Sequence, residues 1–168
     1  MRSRRGFLQL VGAGIGVPFL SPARMDDGDA GFAERIFTRI NEIRTLNGAG
    51  GLAWSDALGE CAREQSRRKI ELRFPGHDDP ERGDISQRMR AAGLDFSHCG
   101  ENLFMERGWD DPVKYAVVFW WYSPGHQANL LNPEYTESGV GLAQAEDGSW
   151  FVTQIFRTPP PKAAKRFR

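Results

Sequence analysis

Hydrophobic residues in the first third of the chain recur at helical spacing. From Phe32 to Ile43 they fall three or four positions apart, which predicts an amphipathic helix ending near Leu46, before the Asn-Gly pair at 47–48. A second helix is predicted from Asp56 to about residue 72, because the Ser55 hydroxyl can cap its first turn.

Shorter elements follow in the second half of the chain. A capping box formed by Asp84 and Gln87 predicts a short helix that ends at Gly93. Pro suits a first helical turn, so another helix is expected from Asp111-Pro112, and one more short turn from 126 to 131.

Alternating apolar residues predict strands in the same half. One strand is expected over 101–105, and two more over 139–144 and 150–156 flank a turn at 146–149, as in a β-hairpin. Helices and strands are mixed without regular β-α-β alternation, which indicates an α+β layered domain.

The N-terminus is typical of an export signal. Arg4 and Arg5 precede a 14-residue apolar segment over 7–20, and small residues at 21–23 offer a cleavage site. The apolar segment is shorter than the about 20 residues that a membrane-spanning helix needs. We therefore predict a twin-arginine signal peptide over 1–23 and a periplasmic or secreted mature chain with no transmembrane segment.

The predicted organisation after cleavage is a linker over 24–31, one domain over 32–157 and a basic, Pro-rich tail over 158–168. The signal contains three arginines and no acidic residue, so its removal leaves 19 basic against 22 acidic residues. This mildly acidic balance argues against nucleic-acid binding. Separately, we expect the mature protein to be a monomer.

Two cysteines, Cys61 and Cys99, remain in the predicted mature chain. An even count in an exported protein permits one disulfide, but the sequence does not supply the Cα separation that a disulfide requires. Both a Cys61–Cys99 pair and two separate buried thiols stay open.

Three residues carry the candidate chemistry. His77 lies in a loop bounded by Pro and Gly, Glu101 opens an apolar strand, and His126 follows Pro-Gly at the start of a short helix. A helix N-terminus disfavours the imidazolium form and keeps the ring neutral, as a metal ligand must be. Spacing alone does not show that the three side chains meet.

Six short segments resemble motifs of the bacterial CAP superfamily (SCP-like extracellular domains), which groups cysteine-rich secretory proteins, antigen 5 and pathogenesis-related class 1 proteins. The segments are Phe74-Pro75-Gly76-His77, Arg88-Met89-Arg90-Ala91-Ala92-Gly93, Gly100-Glu101-Asn102-Leu103, the eleven residues over 121–131, Gly139-Val140-Gly141 and Thr153-Gln154-Ile155-Phe156. The resemblance covers about residues 32 to 157. It implies an α+β fold, a three-layer α-β-α sandwich with a central antiparallel sheet.

The resemblance also implies a cleft of two histidines and two acidic residues that can hold a divalent metal, zinc among them. His77, His126 and Glu101 match three of these positions, and Asn102 is placed at the same cleft with a mainly structural role. Ser123-Pro124 stands where the second acid is expected, so that acid is missing or is supplied by Asp78 or Glu106.

Two hypotheses about function follow. The first is a secreted, non-catalytic domain that presents the His/Glu cleft to a lipid, sterol, cell-wall glycan or divalent metal. The second is a metal-assisted hydrolase of peptides or cell-wall material, with His77 and His126 as metal ligands and Glu101 as a third ligand or as general base. No HExxH or GxSxG motif supports catalysis, so the binding role is favoured.

A row of aromatic residues near the cleft bears on the ligand. Trp120, Trp121 and Tyr122 are expected to be mostly core, because aromatic rows on helices usually pack inward. Adjacent helical residues point about 100° apart, so one of the two tryptophans is expected to be partly exposed.

Overall fold

Five helices and four strands make up the part of the chain that the computed structural model describes, residues 27–108 and 111–161. The helices are α1 (Asp27–Leu46), α2 (Asp56–Leu72), α3 (Ile85–Ala91), α4 (Pro112–Tyr122) and α5 (Pro124–Leu131). The strands are β1 (Ala53–Trp54), β2 (His98–Glu106), β3 (Glu137–Gln144) and β4 (Trp150–Thr158). Within these ranges no helix is both long and apolar enough to cross a membrane.

The ends of the chain bear on the predicted organisation. The signal peptide with Arg4 and Arg5, and residues 162–168 of the predicted tail, lie outside the described residues. Helix α1 begins at Asp27, inside the segment predicted as a linker.

Local signals set the starts of three helices. The Ser55 side chain accepts a hydrogen bond from Leu58 N, and Asp84 forms the predicted capping box with Gln87 at the start of α3. The Asp111 carboxylate caps α4, whose first residue is Pro112. These caps explain why the element boundaries were predictable from short stretches of sequence.

The strands form a mixed sheet in the order β1-β3-β4-β2. Strand β4 pairs antiparallel with both β3 and β2, and its pairing with β3 is the predicted hairpin. The edge of the sheet differs from this predicted antiparallel centre, because Ala53 and Trp54 of β1 pair parallel with β3. Parallel pairing needs a long connection, and the chain between β1 and β3 supplies one.

Each face of the sheet carries its own apolar core, which confirms the three-layer sandwich. On one face, Ile36, Ile40, Trp120 and Leu130 of α1, α4 and α5 pack in one cluster with Phe156 of β4. On the other face, Leu58, Ala62 and Met89 of α2 and α3 pack with Ile155 of β4.

Two glycines of β3 allow α2 to lie directly on the sheet. A Cβ added at Gly139 would lie 2.1 Å from Gly59 N, and one added at Gly141 would lie 2.0 Å from Arg63 N. Real Cβ atoms do not approach backbone this closely, so the Gly-Val-Gly segment is required by helix-to-strand contact.

A buried arginine ties α1 to the connection between α5 and β3. Arg44 is fully buried, and its guanidinium donates to the carbonyl oxygens of Gly50 at 2.6 Å, Leu130 at 2.7 Å, Asn132 at 3.1 Å and Tyr135 at 3.3 Å. Burial lowers the pKa of Arg44. This contact fixes the end of the helix that begins near His126.

Candidate functional site

His77 is presented by the loop that connects α2 to α3. Its backbone carbonyl accepts hydrogen bonds from Gln65 Nε2 at 3.2 Å and from Arg88 Nη1 at 2.9 Å. The side chain itself is 48% exposed. Two buried side chains therefore hold the backbone of His77 while its imidazole stays accessible.

A lysine of α2 holds the residues before His77. Lys69 Nζ donates to Phe74 O at 3.3 Å and to Gly76 O at 2.5 Å, and it lies 4.3 Å from the centre of the Phe74 ring. Burial lowers the pKa of Lys69. The ammonium group acts here as a clamp on the loop backbone.

An ion pair anchors the other end of the same loop. The Asp79 side chain is fully buried and accepts two hydrogen bonds from the Arg68 guanidinium, and it also accepts from the backbone of Glu81 and Arg82 at 2.9 Å. The hydrogen bonds from Arg68 hold the pKa of Asp79 well below its usual range. Hydrogen bonds to Asp79 and Glu81 raise the pKa of Arg68.

Glu101 lies on β2 with only 1% of its side chain exposed. Its Oε1 is 2.9 Å from His77 Nδ1, and its Oε2 accepts a hydrogen bond from Arg88 Nη2. A carboxylate paired with a guanidinium is an acceptor only, so His77 Nδ1 carries the hydrogen and donates it to Glu101. In the neutral form of the ring, the lone pair of His77 is then on Nε2.

Arg88 was quoted in the motif over 88–93, but the sequence analysis gave it no role. Its side chain is 4% exposed, and it contacts the His77 carbonyl and the Glu101 carboxylate. Arg90, two residues later on α3, is exposed and lies 5.1 Å from the centre of the Phe96 ring. Nothing in the local sequence shows which of these two arginines is buried. The packing of α3 against β2 decides it.

His126 enters the cleft from the first turn of α5. Its ring centre is 5.4 Å from that of Phe119, and its buried Nδ1 makes no hydrogen bond to any described residue. Burial lowers the pKa of His126, and the positive charge of a protonated His77 lowers it further. Both effects favour the neutral form of the ring.

Asn102 joins β2 to α5 through hydrogen bonds. It is fully buried, donates to the backbone carbonyl of His126 at 3.2 Å and accepts from Asn129 Nδ2 at 2.9 Å. Asn129 also lies 3.2 Å from the Glu101 carbonyl. The two amides hold α5, and hence His126, against the strand that carries Glu101.

Of the aromatic row on α4, one tryptophan is partly exposed as expected, whereas Tyr122, expected to be mostly core, is exposed. Trp120 is buried and donates to Leu103 O at 2.9 Å, whereas Trp121 is half-buried. Phe119 is 49% exposed beside His126, and Tyr122, one turn further along α4, is 80% exposed. The exposure of Phe119 could not be predicted from its position, because nearly all residues of α4 are apolar and no polar face marks the solvent side.

The model of the CAP family, the cysteine-rich secretory protein family, matches residues 37–156. The chain belongs to the CAP family. The uncharacterized protein YkwD of Bacillus subtilis (strain 168) is 28% identical over 124 residues, which are 74% of this chain and 46% of YkwD.

Solved CAP structures agree with this assignment. A crystal structure of an extracellular SCP-domain protein from Bacillus anthracis str. Ames has a TM-score of 0.67 and 28% identity, covering 77% of this chain and 41% of that protein. The chain thus spans less than half the length of YkwD and of the Bacillus anthracis protein. The solved relatives include extracellular and outer-surface proteins.

The CAP resemblance implies a divalent metal at the cleft of His77, Glu101 and His126. NaASP2, whose structure was solved with Zn²⁺, has a TM-score of 0.55 at 16% identity over 78% of this chain and 82% of NaASP2, which shows a shared fold alone. In residues 27–108 and 111–161, no group of three or more His, Cys, Asp or Glu side chains is arranged to hold a metal ion. Catalytic zinc sites commonly use three protein ligands, so the donors of this CAP domain do not fit one.

Neither suggested replacement for the second acid reaches the cleft in a ligand arrangement. Asp78 is exposed to solvent next to His77. Glu106 is buried five residues along β2 from Glu101, a distance of about 16 Å along an extended strand. The charge that stands beside Glu101 is instead the positive charge of Arg88.

The two cysteines of this CAP domain are free thiols. Both are half-buried against the apolar cluster under α2 and α3, and Cys99 Sγ is 3.5 Å from Ser86 Oγ. Burial raises the pKa of Cys61, which disfavours the reactive thiolate form. Of the two alternatives left open by the sequence, the structure has separate thiols.

A groove of about 1220 Å³ lies between α1, α4 and the start of α2. Apolar side chains line much of it, including Phe37, Trp54, Val113, Val117 and Val118. Basic side chains at the same groove are Arg35, Arg39, Arg63 and Lys114. The groove contains none of the cleft residues His77, Glu101 and His126, so the groove and the His/Glu cleft are separate parts of the CAP domain.

Proposed function

We propose that this chain is an exported CAP domain that acts by binding a ligand at the His77–His126 cleft, without catalysis. The observation that carries the proposal is the state of Glu101. Its carboxylate is almost fully buried, and one oxygen is hydrogen-bonded to His77 and the other to Arg88. A general base needs a free lone pair within reach of the proton that it removes.

The ligand that best suits this cleft is an uncharged, hydroxyl-bearing polymer such as a cell-wall glycan. The imidazoles of His77 and His126 offer hydrogen bonds, and the half-exposed ring of Phe119 offers an apolar face beside them. The negative charge of Glu101 is balanced by Arg88, which leaves the cleft little attraction for an ion.

Calorimetric titration of the purified protein with soluble cell-wall glycan fragments tests the proposal. We expect His77→Ala and Phe119→Ala each to weaken binding about tenfold, which corresponds to about 1.4 kcal/mol. His98→Ala and Leu46→Ala are matched controls, because both side chains are exposed at other places. Equal affinity of all four variants would remove the cleft as the binding site.

The same preparation separates binding from hydrolysis. If the CAP domain is a hydrolase that uses Glu101, glycan or peptide fragments will be cleaved, and Glu101→Gln will abolish cleavage. We expect no cleavage by either protein over hours, with or without added zinc. Turnover that requires Glu101 would contradict the proposal.

Export is the second part of the proposed function. Extracellular and outer-surface relatives support it, as does the twin-arginine pattern at residues 3–8. Cell fractionation of the full chain should place it outside the cytoplasm, and replacing both Arg4 and Arg5 with lysine should retain it inside. Unchanged export of the double variant would exclude the twin-arginine route.

The groove between α1 and α4 favours lipid binding as a second candidate. Its apolar lining suits an acyl chain, and its four basic side chains, against three acidic ones (Glu34, Asp56 and Asp111), leave a small positive balance for an anionic head group. A fluorescent fatty acid should bind the wild type, and Val118→Asp should abolish binding because Val118 lines the groove. Leu72→Asp, at a partly exposed leucine outside the groove, is the control.

A further inference from the structure

The ring nitrogens of the two cleft histidines have different surroundings. His77 Nδ1 is 2.9 Å from Glu101 Oε1, whereas His126 Nδ1 is buried and makes no hydrogen bond to any described residue. A neutral imidazole has one nitrogen that donates and one that accepts, so the partner of one nitrogen sets the role of the other. The two rings therefore offer different hydrogen-bonding groups to a ligand.

We propose that the cleft presents an acceptor at His77 Nε2 and a donor at His126 Nε2, and that this pair recognises a hydroxyl group of the ligand. A hydroxyl group can accept a hydrogen bond from His126 and donate one to His77 at the same time. Arg88 and Glu101 are positioning residues in this arrangement, because they act on the ligand only through His77. The inference rests on the proposed function, since it names the ligand group that the glycan-binding cleft selects.

Glu101 sets the acceptor at His77. Only 1% of its side chain is exposed, and both carboxylate oxygens have partners, Oε1 at His77 Nδ1 and Oε2 at Arg88 Nη2. Arg88 also donates to the carbonyl oxygens of His77 at 2.9 Å and Gly83 at 3.0 Å, so three acceptors hold its guanidinium in place. A carboxylate that accepts from a guanidinium is an acceptor on both oxygens. The hydrogen of a neutral His77 ring therefore stays on Nδ1, and Nε2 keeps the lone pair.

Burial of one ring nitrogen sets the donor at His126. The residue is half-buried, and Nδ1 is on the buried side of its ring, so a ligand meets Nε2. A hydrogen on Nδ1 would be a buried donor without a partner, whereas a hydrogen on Nε2 can bond to water or to a ligand. Burial also lowers the pKa of His126, which favours a neutral ring with a single hydrogen.

This polarity separates chemical groups that have similar shapes. A methyl ether or a carboxylate brings only lone pairs to His77 Nε2, so neither can satisfy both rings. The ring of Phe119, 49% exposed and with its centre 5.4 Å from that of His126, offers an apolar face next to the donor. A sugar hydroxyl, which projects from a carbon ring with apolar faces, fits both features.

Nitrogen NMR of the histidines in the ligand-free full chain, at about pH 8 where an imidazole is ordinarily neutral, tests the assigned polarity. We expect the hydrogen of His77 on Nδ1 and that of His126 on Nε2. In Glu101→Gln, the amide oxygen can accept from Arg88, so the amide NH₂ group faces His77 Nδ1 and requires it to accept. This variant should move the hydrogen of His77 to Nε2 and leave that of His126 in place. Glu60→Gln, at a side chain that is 67% exposed, is the control.

Calorimetric titration with a soluble cell-wall glycan fragment and with its O-methylated form tests the recognition of a hydroxyl group. The wild type should bind the hydroxyl form at least about tenfold more tightly, because only this form can donate to His77. In Glu101→Gln both rings donate, so the preference should fall below about threefold, mainly through weaker binding of the hydroxyl form. A merely structural role of Glu101 would weaken both ligands alike and keep their ratio.

Two results would overturn the proposal. One is a hydrogen on Nε2 of His77 or on Nδ1 of His126 in the ligand-free wild type, a measurement that needs no variant to fold. The other is an unchanged preference for the hydroxyl form in Glu101→Gln, once circular dichroism shows that the variant is folded. If no glycan binds while both rings carry the assigned hydrogens, the glycan proposal fails and the polarity of the cleft stands.

Discussion

Replacing Arg44 with methionine would remove a guanidinium that joins α1 to the segment between α5 and β3. The side chain is fully buried, and the four groups that accept its hydrogen bonds are all backbone carbonyls. No carboxylate is among these acceptors. Methionine retains the apolar stem but leaves the carbonyls without their donor.

The size of the effect follows from two opposing contributions. A hydrogen bond from a charged donor contributes about 1.5–3 kcal/mol, so four such bonds would suggest a loss of about 6–12 kcal/mol. The shortest pair, to Gly50 and Leu130, should account for most of it. Against this, methionine avoids the desolvation of a buried charge, which costs several kcal/mol. We therefore expect a net loss of about 3–5 kcal/mol, a large part of the 5–15 kcal/mol that is typical of a domain.

Urea unfolding followed by tryptophan fluorescence measures this loss as the change in the free energy of unfolding. Arg35→Met is the matched control, because the side chain of Arg35 is 58% exposed and its change should be within about 0.5 kcal/mol. Arg44→Lys should also be destabilising, since a single ammonium group has fewer donors than the guanidinium. A loss below about 1 kcal/mol for Arg44→Met would refute the reasoning, because the four hydrogen bonds would then contribute nothing net.

Two further predictions concern the sheet and the loop that carries His77. Gly141→Ala should lower the free energy of unfolding by about 3 kcal/mol or more, because the added Cβ overpacks against α2. Gly50→Ala is the control: no atom lies within 4 Å of its added Cβ, so the free energy of unfolding should change by less than about 1 kcal/mol. Urea unfolding of both variants measures the two changes. The folded-state pKa of Asp79 lies below its unfolded value of about 3.9, so its contribution to stability is complete above that pH and is lost as the pH falls through the folded pKa. Asp79→Asn should therefore be less stable than the wild type at pH 7, and the difference should shrink steadily below pH 4 in acid unfolding curves; a constant difference would contradict the role of the Arg68–Asp79 pair.

Much of the secondary structure was predictable because its signals are local. Ser55, the Asp84–Gln87 pair and Pro112 each act within one turn of the helix that they start. The turn at 146–149 set the hairpin of β3 and β4 in the same way. Strand β1 was not predicted, because a two-residue strand has no periodicity of its own.

The candidate site was predictable only in part. Motif resemblance placed His77, Glu101 and His126 at one cleft, and the structure brings His77 and Glu101 into contact, with His126 held nearby through Asn102. The motif resemblance did not indicate a role for Arg88. Its contacts are with His77, 11 residues before it, and with Glu101, 13 residues after it.

By itself, the sequence determined the CAP family, the order of the helices and of all strands except β1, and the residue types of the cleft, since these depend on motifs and on local spacing. Only the tertiary structure decided that Arg88, and not Arg90, faces inward, and that the carboxylate of Glu101 is used by an arginine and a histidine. The physical reason is that a charge is balanced by whatever lies within a few ångströms in space. Side-chain neighbours from different elements are set by packing, which no periodicity along the chain records.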